Sequence, residues 1–259
     1  MKKLLIILLI LMLIAVILYF FVLRKKEVAV VLPAYPGLPQ YSQSTTIVEH
    51  TYFTLSYNEQ HEQPDWVMYK LISSYVSGES HDRKDNFRAD TAVVTGSATK
   101  KDYKKSGYDR GHLLPAADMG WSSEAMSETF LMSNMSPQVP GFNRGIWKKL
   151  ETKVRNWARI NEKLYVVVGP VLEDNLETIG ENEVSIPHYY YKVIIDYQEP
   201  DIKAIGFVME NKKSDSDLFL YSVSIDSVEK LTGIDFFPAL PDEYETKLEA
   251  TTDFSAWKN

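Results

Sequence analysis

Leu4 to Leu23 is an uninterrupted run of twenty apolar residues. At about 1.5 Å per helical residue, such a run reaches across a hydrocarbon core of roughly 30 Å. It partitions the chain: residues 1–26 read as a single-pass transmembrane helix, and any water-facing core must be built from residue 27 onward. Lys2 and Lys3 precede the run, Arg24, Lys25 and Lys26 come directly after it, and no Ala-x-Ala cleavage site closes it. That is the pattern of an uncleaved signal anchor and not of a removed signal peptide. Two lysines and the terminal amine face three basic residues, so flanking charge leaves the orientation open.

Residues 27–45 contain Pro33, Pro36, Pro39 and Gly37 and read as a Pro-rich linker. A single domain is expected over 46–259. Stretches 51–57 and 66–73, rich in β-branched and aromatic residues, predict adjacent strands. Residues 77–107 come next as a long polar loop, and loops of that length inside a compact domain are usually functional or mobile. Helical patterns cover 122–131 and 145–160. Further strands are predicted over 164–168, 189–196, 202–210 and 218–223, and a short helix opens at Asp226 and stops at Gly233. Strands on both sides of a central helical stretch predict an α+β domain.

The chain lacks cysteine, which excludes disulfides, thiol nucleophiles and cysteine-ligated metals. Catalysis must use His, Asp, Glu, Asn, Ser or Lys. A net charge of -7 argues at first against a nucleic-acid partner, but the charge is unevenly spread. Outside the first 26 residues, 23 Lys and Arg face 35 Asp and Glu. Residues 144–163 carry seven Lys or Arg against two Glu, whereas 164–259 carry seven Lys against nineteen acids. A local basic segment on an acidic body favours turnover over tight retention of a polyanion.

Polar chemistry is concentrated in Tyr108-Asp109-Arg110-Gly111-His112, Ser133-Asn134-Met135-Ser136-Pro137-Gln138, Asn143-Arg144-Gly145-Ile146-Trp147, Glu151 and Arg155. A helix starting after Asn143 carries Trp147, Glu151 and Arg155 at steps of four, drifting slowly around one side. Taken singly, each has a structural reading: Asn143 as a helix N-cap, Glu151 with Arg155 as a solvated pair. His188 reads as structural, His50, His61 and His81 show no partner pattern, and Trp147 and Trp157 are expected to pack the helix on the sheet.

This ordered set resembles the DNA/RNA non-specific endonuclease family, of the ββα-metal superfamily with its Asp-Arg-Gly-His signature, which includes mitochondrial endonuclease G. The resemblance runs from about Thr46 to Leu240. It takes in Ser56-Tyr57-Asn58, Pro64-Asp65-Trp66, Arg83 to Asp90 as Arg-x-x-x-Phe-x-x-Asp, Gly169-Pro170 and Ile186-Pro187-His188. It implies a central, mainly antiparallel sheet flanked by helices, with His112 as general base. It also implies Asn143 as direct ligand of a Mg2+-type ion, Mn2+ substituting, and Glu151 as an outer group acting through water. Arg83 corresponds to the family's transition-state arginine, with Lys84 and Arg88 as neighbours able to take its place. Arg110 and Arg155 correspond to supporting basic residues, and Asn134 to an organising asparagine. Asp109 is expected to orient Arg110 or the loop backbone.

The implied activity is metal-dependent, sugar-non-specific hydrolysis of phosphodiesters, leaving 5′-phosphate ends. Its substrates are double- and single-stranded DNA and RNA, held through the backbone. A catalytically silent DNA-binding or uptake module and a nuclease toxin are the alternatives. Residues 4–23 supply a membrane partner, and a homodimer is compatible with the family. In a bacterium the domain is expected outside the cytoplasm, since a cytoplasmic one would attack the chromosome. In a eukaryote the mitochondrial intermembrane space fits.

Overall fold

The computed structural model describes residues 12–14, 16, 19, 33–41, 46–198, 202–250 and 254–257. The chain divides into one unit through Pro33 and a second, Ala34–Asn259, with its own core. Among the described residues no helix is long and apolar enough to cross a membrane. The anchor expected over 4–23 falls largely outside those residues.

In chain order the described strands are β1 (Gln40–Tyr41), β2 (Thr46–Glu49), β3 (Phe53–Asn58), β4 (Gln63–Ile72), β5 (Asp109–His112), β6 (Met135–Gln138), β7 (Lys163–Pro170), β8 (Thr178–Ile179), β9 (Val184–Ser185), β10 (Tyr189–Asp196), β11 (Lys203–Glu210), β12 (Ser222–Val223) and β13 (Ile234–Asp235). Seven form one sheet in the order β12-β11-β10-β7-β4-β3-β2, antiparallel at every step. The expected antiparallel α+β architecture is therefore the observed one. Its central strands β4 and β7 are buried along almost their whole length, and their middles, Trp66–Tyr69 and Leu164–Val168, are apolar on both faces.

The long helix Lys148–Ile160 packs on β4 and β7. It buries Leu150, Val154, Trp157 and Ala158, one stripe at helical spacing. Trp147 and Trp157 are both buried against the core, as expected, and the Trp157 indole donates to the Trp257 carbonyl at 2.7 Å. The basic residues on the other side of this helix are left to face outward or along the sheet.

Three local expectations change. Residues 218–223 are not one strand: Asp217 accepts from the Phe219 N–H at 2.8 Å and winds Leu218–Tyr221 into a 3-10 turn, leaving only β12 extended. The next helix, Ile225–Thr232, begins one residue before Asp226, because Ser224 caps it, and ends at Gly233 with φ +72°. Part of the stretch 27–45 belongs to the folded unit: β1 pairs with β13, and the Tyr35 ring packs edge-on to Tyr165 at 5.5 Å. Between Gly78 and Gly107 the chain has no strand or helix, only a bridge between Arg88 and Leu131.

Candidate active site

The signature Asp-Arg-Gly-His is strand β5, paired antiparallel with β6 in a two-stranded ribbon beside the main sheet. Gly111 sits opposite Ser136, and a Cβ at Gly111 would lie 2.2 Å from the Gln138 side chain. Any larger residue there has to displace the buried Gln138 side chain. The ribbon is pinned to the sheet by buried hydroxyls: Ser136 Oγ donates to Gln63 Oε1 at 2.5 Å and lies 2.6 Å from the Tyr190 hydroxyl, which reaches the Pro137 carbonyl at 2.9 Å. Ser133 Oγ donates to Asp90 Oδ2 at 2.5 Å. Asn134 is fully buried; it accepts from the Leu114 N–H and donates to the carbonyls of Leu114 and Thr129. It holds the turn after His112 and does not line the cleft, so its expected site role is one of positioning.

Beyond β6 a helical turn, Pro140–Phe142, passes into a π-turn, Asn143–Trp147, before the long helix begins. Gly145 breaks the helical path there (φ -105°, ψ -112°), and such single π-turns commonly swing a side chain out of helical register. Asn143 has helical dihedrals and neither segment carries a side-chain cap, which removes the N-cap reading. Asp109 Oδ2 instead accepts from Asn143 Nδ2 at 2.9 Å, and the same carboxylate takes a bidentate pair from Arg144 at 2.6 and 2.8 Å. Asp109 thus orients Asn143 and Arg144, not Arg110. Using the amide N–H₂ in this bond leaves the Asn143 carbonyl oxygen as the available donor atom.

A cleft of about 410 Å³ gathers Arg83, Arg110, His112, Asn143, Glu151 and Arg155 on its walls, along with Asp109, Arg144 and Lys148. His112 stands between Phe87 and Phe130, edge-on to both, with ring centroids 5.6 and 4.8 Å away. The Arg110 guanidinium lies 4.3 Å from the Phe87 centroid and that of Arg83 5.0 Å from Phe130. Two rings therefore fix one imidazole and two cations together. His112 Nε2 is buried and has no hydrogen-bond partner in the protein, while the ring bonds the Arg110 backbone. With Nε2 unpartnered, Nδ1 must donate to that carbonyl, so Nε2 carries the lone pair. Burial, reinforced by Arg83, holds the imidazolium down at about 3, and the ring is neutral at physiological pH.

Burial pushes the half-buried Glu151 carboxyl up to about 7, with Lys192 pulling the other way and Asp118 adding to the rise. Arg155 donates to Asp118 Oδ1 at 2.7 Å, and Tyr69 donates to Asp118 Oδ2 at 2.9 Å. This replaces the solvated Glu151–Arg155 pair as the main polar bond of Arg155. Asp118 and Lys192, both with no exposed surface, escape sequence reasoning. Neither belongs to a spacing pattern, and both matter because the sheet and the turn after β5 bring them under the helix. The Lys192 Nζ lies 4.9 Å from the Trp147 ring, and burial lowers its pKa. Of the basic residues between 83 and 88, Arg83 alone lines this cleft. Arg88 is turned to the Ser127 carbonyl at 2.8 Å, and Lys84 borders a separate groove.

A neutral buried imidazole, a set of arginines and two hard oxygen donors in one cleft are groups suited to a phosphodiester. The DNA/RNA non-specific endonuclease family model matches residues 34–243, and the chain belongs to that family. It is 35% identical over 79% of its length to the mitochondrial nuclease EXOG of Danio rerio, spanning 64% of that protein. It is 34% identical to mitochondrial endonuclease G of Homo sapiens (78% and 71% covered) and 32% to a nuclease of Nostoc sp. (78% and 76%). A solved structure of EndoG in complex with EndoGI superposes with a TM-score of 0.72 at 33% identity, covering 80% of this chain and 89% of that one. The chain is an endonuclease of this family.

Proposed function

We propose that the cleft hydrolyses the phosphodiester bonds of both DNA and RNA, with His112 as general base. The observation that carries this reading is His112 Nε2: a buried, unpartnered lone pair on a neutral ring, among groups suited to a phosphate. Water loses a proton to Nε2 as its oxygen bonds to phosphorus. The bond from phosphorus to the 3′-oxygen breaks, and the phosphate stays on the 5′ end. Arg83, Arg110 and Arg155 hold the phosphate oxygens and oppose their growing charge. Phosphate contacts position a nucleic acid without reading its bases, so recognition is of backbone.

The donors present fit a hard divalent cation: the Asn143 amide oxygen, oriented by Asp109, and the Glu151 carboxylate border the same cleft. When bound, Mg2+ or Mn2+ supplies Lewis-acid stabilisation of the pentacovalent phosphorus and the departing oxygen. Asn143 would hold the ion directly and Glu151 through a water molecule. Residues 4–23 tether the enzyme to a membrane, with the folded unit outside the cytoplasm of a bacterium or in the mitochondrial intermembrane space. Plasmid and RNA degradation by the full chain, compared with His112→Ala, tests the mechanism. Undiminished cleavage by the variant removes His112 from it, and salt-sensitive DNA binding without cleavage by the wild type marks a silent module.

A further inference from the structure

The acidic C-terminal half has a centre of its own. Asp226, Glu229 and Glu249 present ligand oxygens within 4.8 Å of one another, and so do Asp235, Glu245 and Glu249. Two helices and a strand build this cluster. Asp226 and Glu229 are three apart on Ile225–Thr232, Glu245 and Glu249 four apart on Asp242–Glu249, so each pair shares a helix face. Asp235 ends β13. Two members are aimed by backbone: Glu229 Oε1 accepts from the Phe236 N–H at 3.0 Å, and Asp235 accepts from that of Phe237.

Glu249 is common to both groups and is 6% exposed, yet its Oε1 is buried without a hydrogen-bond partner. The charged side chains that weigh most on it are Glu229, Glu245, Asp235 and Asp226, all carboxylates. An unsatisfied carboxylate oxygen buried among like charges is costly unless a cation or a proton neutralises it. Oxygens bound to one calcium ion at about 2.4 Å lie no more than about 4.8 Å apart, a limit that both groups of carboxylates satisfy. Carboxylates from three elements, some open to water, suit the six to eight ligands of calcium better than the strict octahedron of magnesium.

We propose that Glu249, with the carboxylates on either side of it, forms a calcium-type cation site, none of whose members lines the catalytic cleft. The ion clamps the C-terminal helix to Ile225–Thr232 and β13, and through the β1–β13 pairing holds the N-terminal edge of the folded unit.

The test uses the full chain, stripped with chelator and titrated with calcium chloride, with unfolding midpoint and calcium stoichiometry as readouts. At about a hundredfold excess over Kd, the wild-type midpoint should rise by roughly 5–10 °C. Asn143→Ala should retain the rise, because the cation in question is not the catalytic one. Glu249→Gln should lose both the rise and one equivalent of bound calcium. Glu229→Gln repeats the test if Glu249→Gln fails to fold. No rise in the wild type, an equal rise in the Gln variants, or a rise lost in Asn143→Ala each overturns the proposal. The first of these leaves the cluster neutralised by a proton.

Discussion

Glu151 and Glu249 are the same residue type on amphipathic helices, each with a helical partner four residues away, and burial raises both carboxyls, to about 7 and about 8. Their surroundings are opposite. Lys192, Arg155 and Lys148 face Glu151, so a proton or a cation in its cleft is exchangeable against fixed positive charge. Only carboxylates dominate the field at Glu249. A shared local pattern therefore says nothing about role: the first carboxylate shares a cleft with a histidine and several arginines, the second lies among carboxylates alone.

The largest effect expected on the catalytic side is that of His112→Ala, which should reduce plasmid cleavage by on the order of 10³-fold, the contribution of a positioned general base. Steady-state cleavage with an intact circular dichroism spectrum checks it. Asp118→Asn removes the counter-ion of Arg155, one of the cations beside Glu151. Arg155 loses its ion pair, and cleavage should fall on the order of 10²-fold through misplacement, with unfolding free energy lower by about 3 kcal/mol. A denaturant titration beside the rate assay separates the two; wild-type values in both refute the role given to Asp118.

Gly111→Ala drives a methyl into the buried Gln138 side chain and should destabilise by about 1–3 kcal/mol, with activity lost in proportion to the displacement of His112. A smaller effect distinguishes the titrating groups. At limiting Mg2+, cleavage should fall as pH drops through about 7, because Glu151 takes up a proton, while His112 stays neutral far below that pH. Saturating Mg2+ should move this limb to lower pH, and Glu151→Gln should abolish it; an unchanged limb in that variant assigns it elsewhere. The smallest effect is at Glu249. Its folded pKa is raised, so in chelator the contribution of this group to stability is full below its unfolded value and is lost as pH rises through about 8. Glu249→Gln should flatten that loss by about a degree or two in midpoint.

Much of the site is legible before folding. Asp109, Arg110, His112, Asn143, Arg144, Glu151 and Arg155 come together in the cleft, carried there by one paired strand, the turn after its partner and the helix that follows. The roles within the set are less legible. Asp109 reaches Asn143 and Arg144, 34 and 35 residues on, and not the adjacent Arg110; Asn134 serves backbone alone. Such choices depend on the direction in which a side chain leaves its strand and on the group it then meets, and neither is written in spacing. Arg83 could be separated from Lys84 and Arg88 only by seeing which of them turns to Phe130.

The sequence by itself determined the sheet-and-helix class, the family and most of the residues that line the cleft, because hydrophobic period, glycine and ordered polar motifs act locally. Tertiary structure alone decided where the buried charges lie. Asp118, Tyr69, Lys192 and Arg155 come from four separate elements, and Glu249 meets Asp226 and Asp235 across two chain reversals. Coulomb energy depends on distance and on the water excluded between charges, and both are set when remote segments pack.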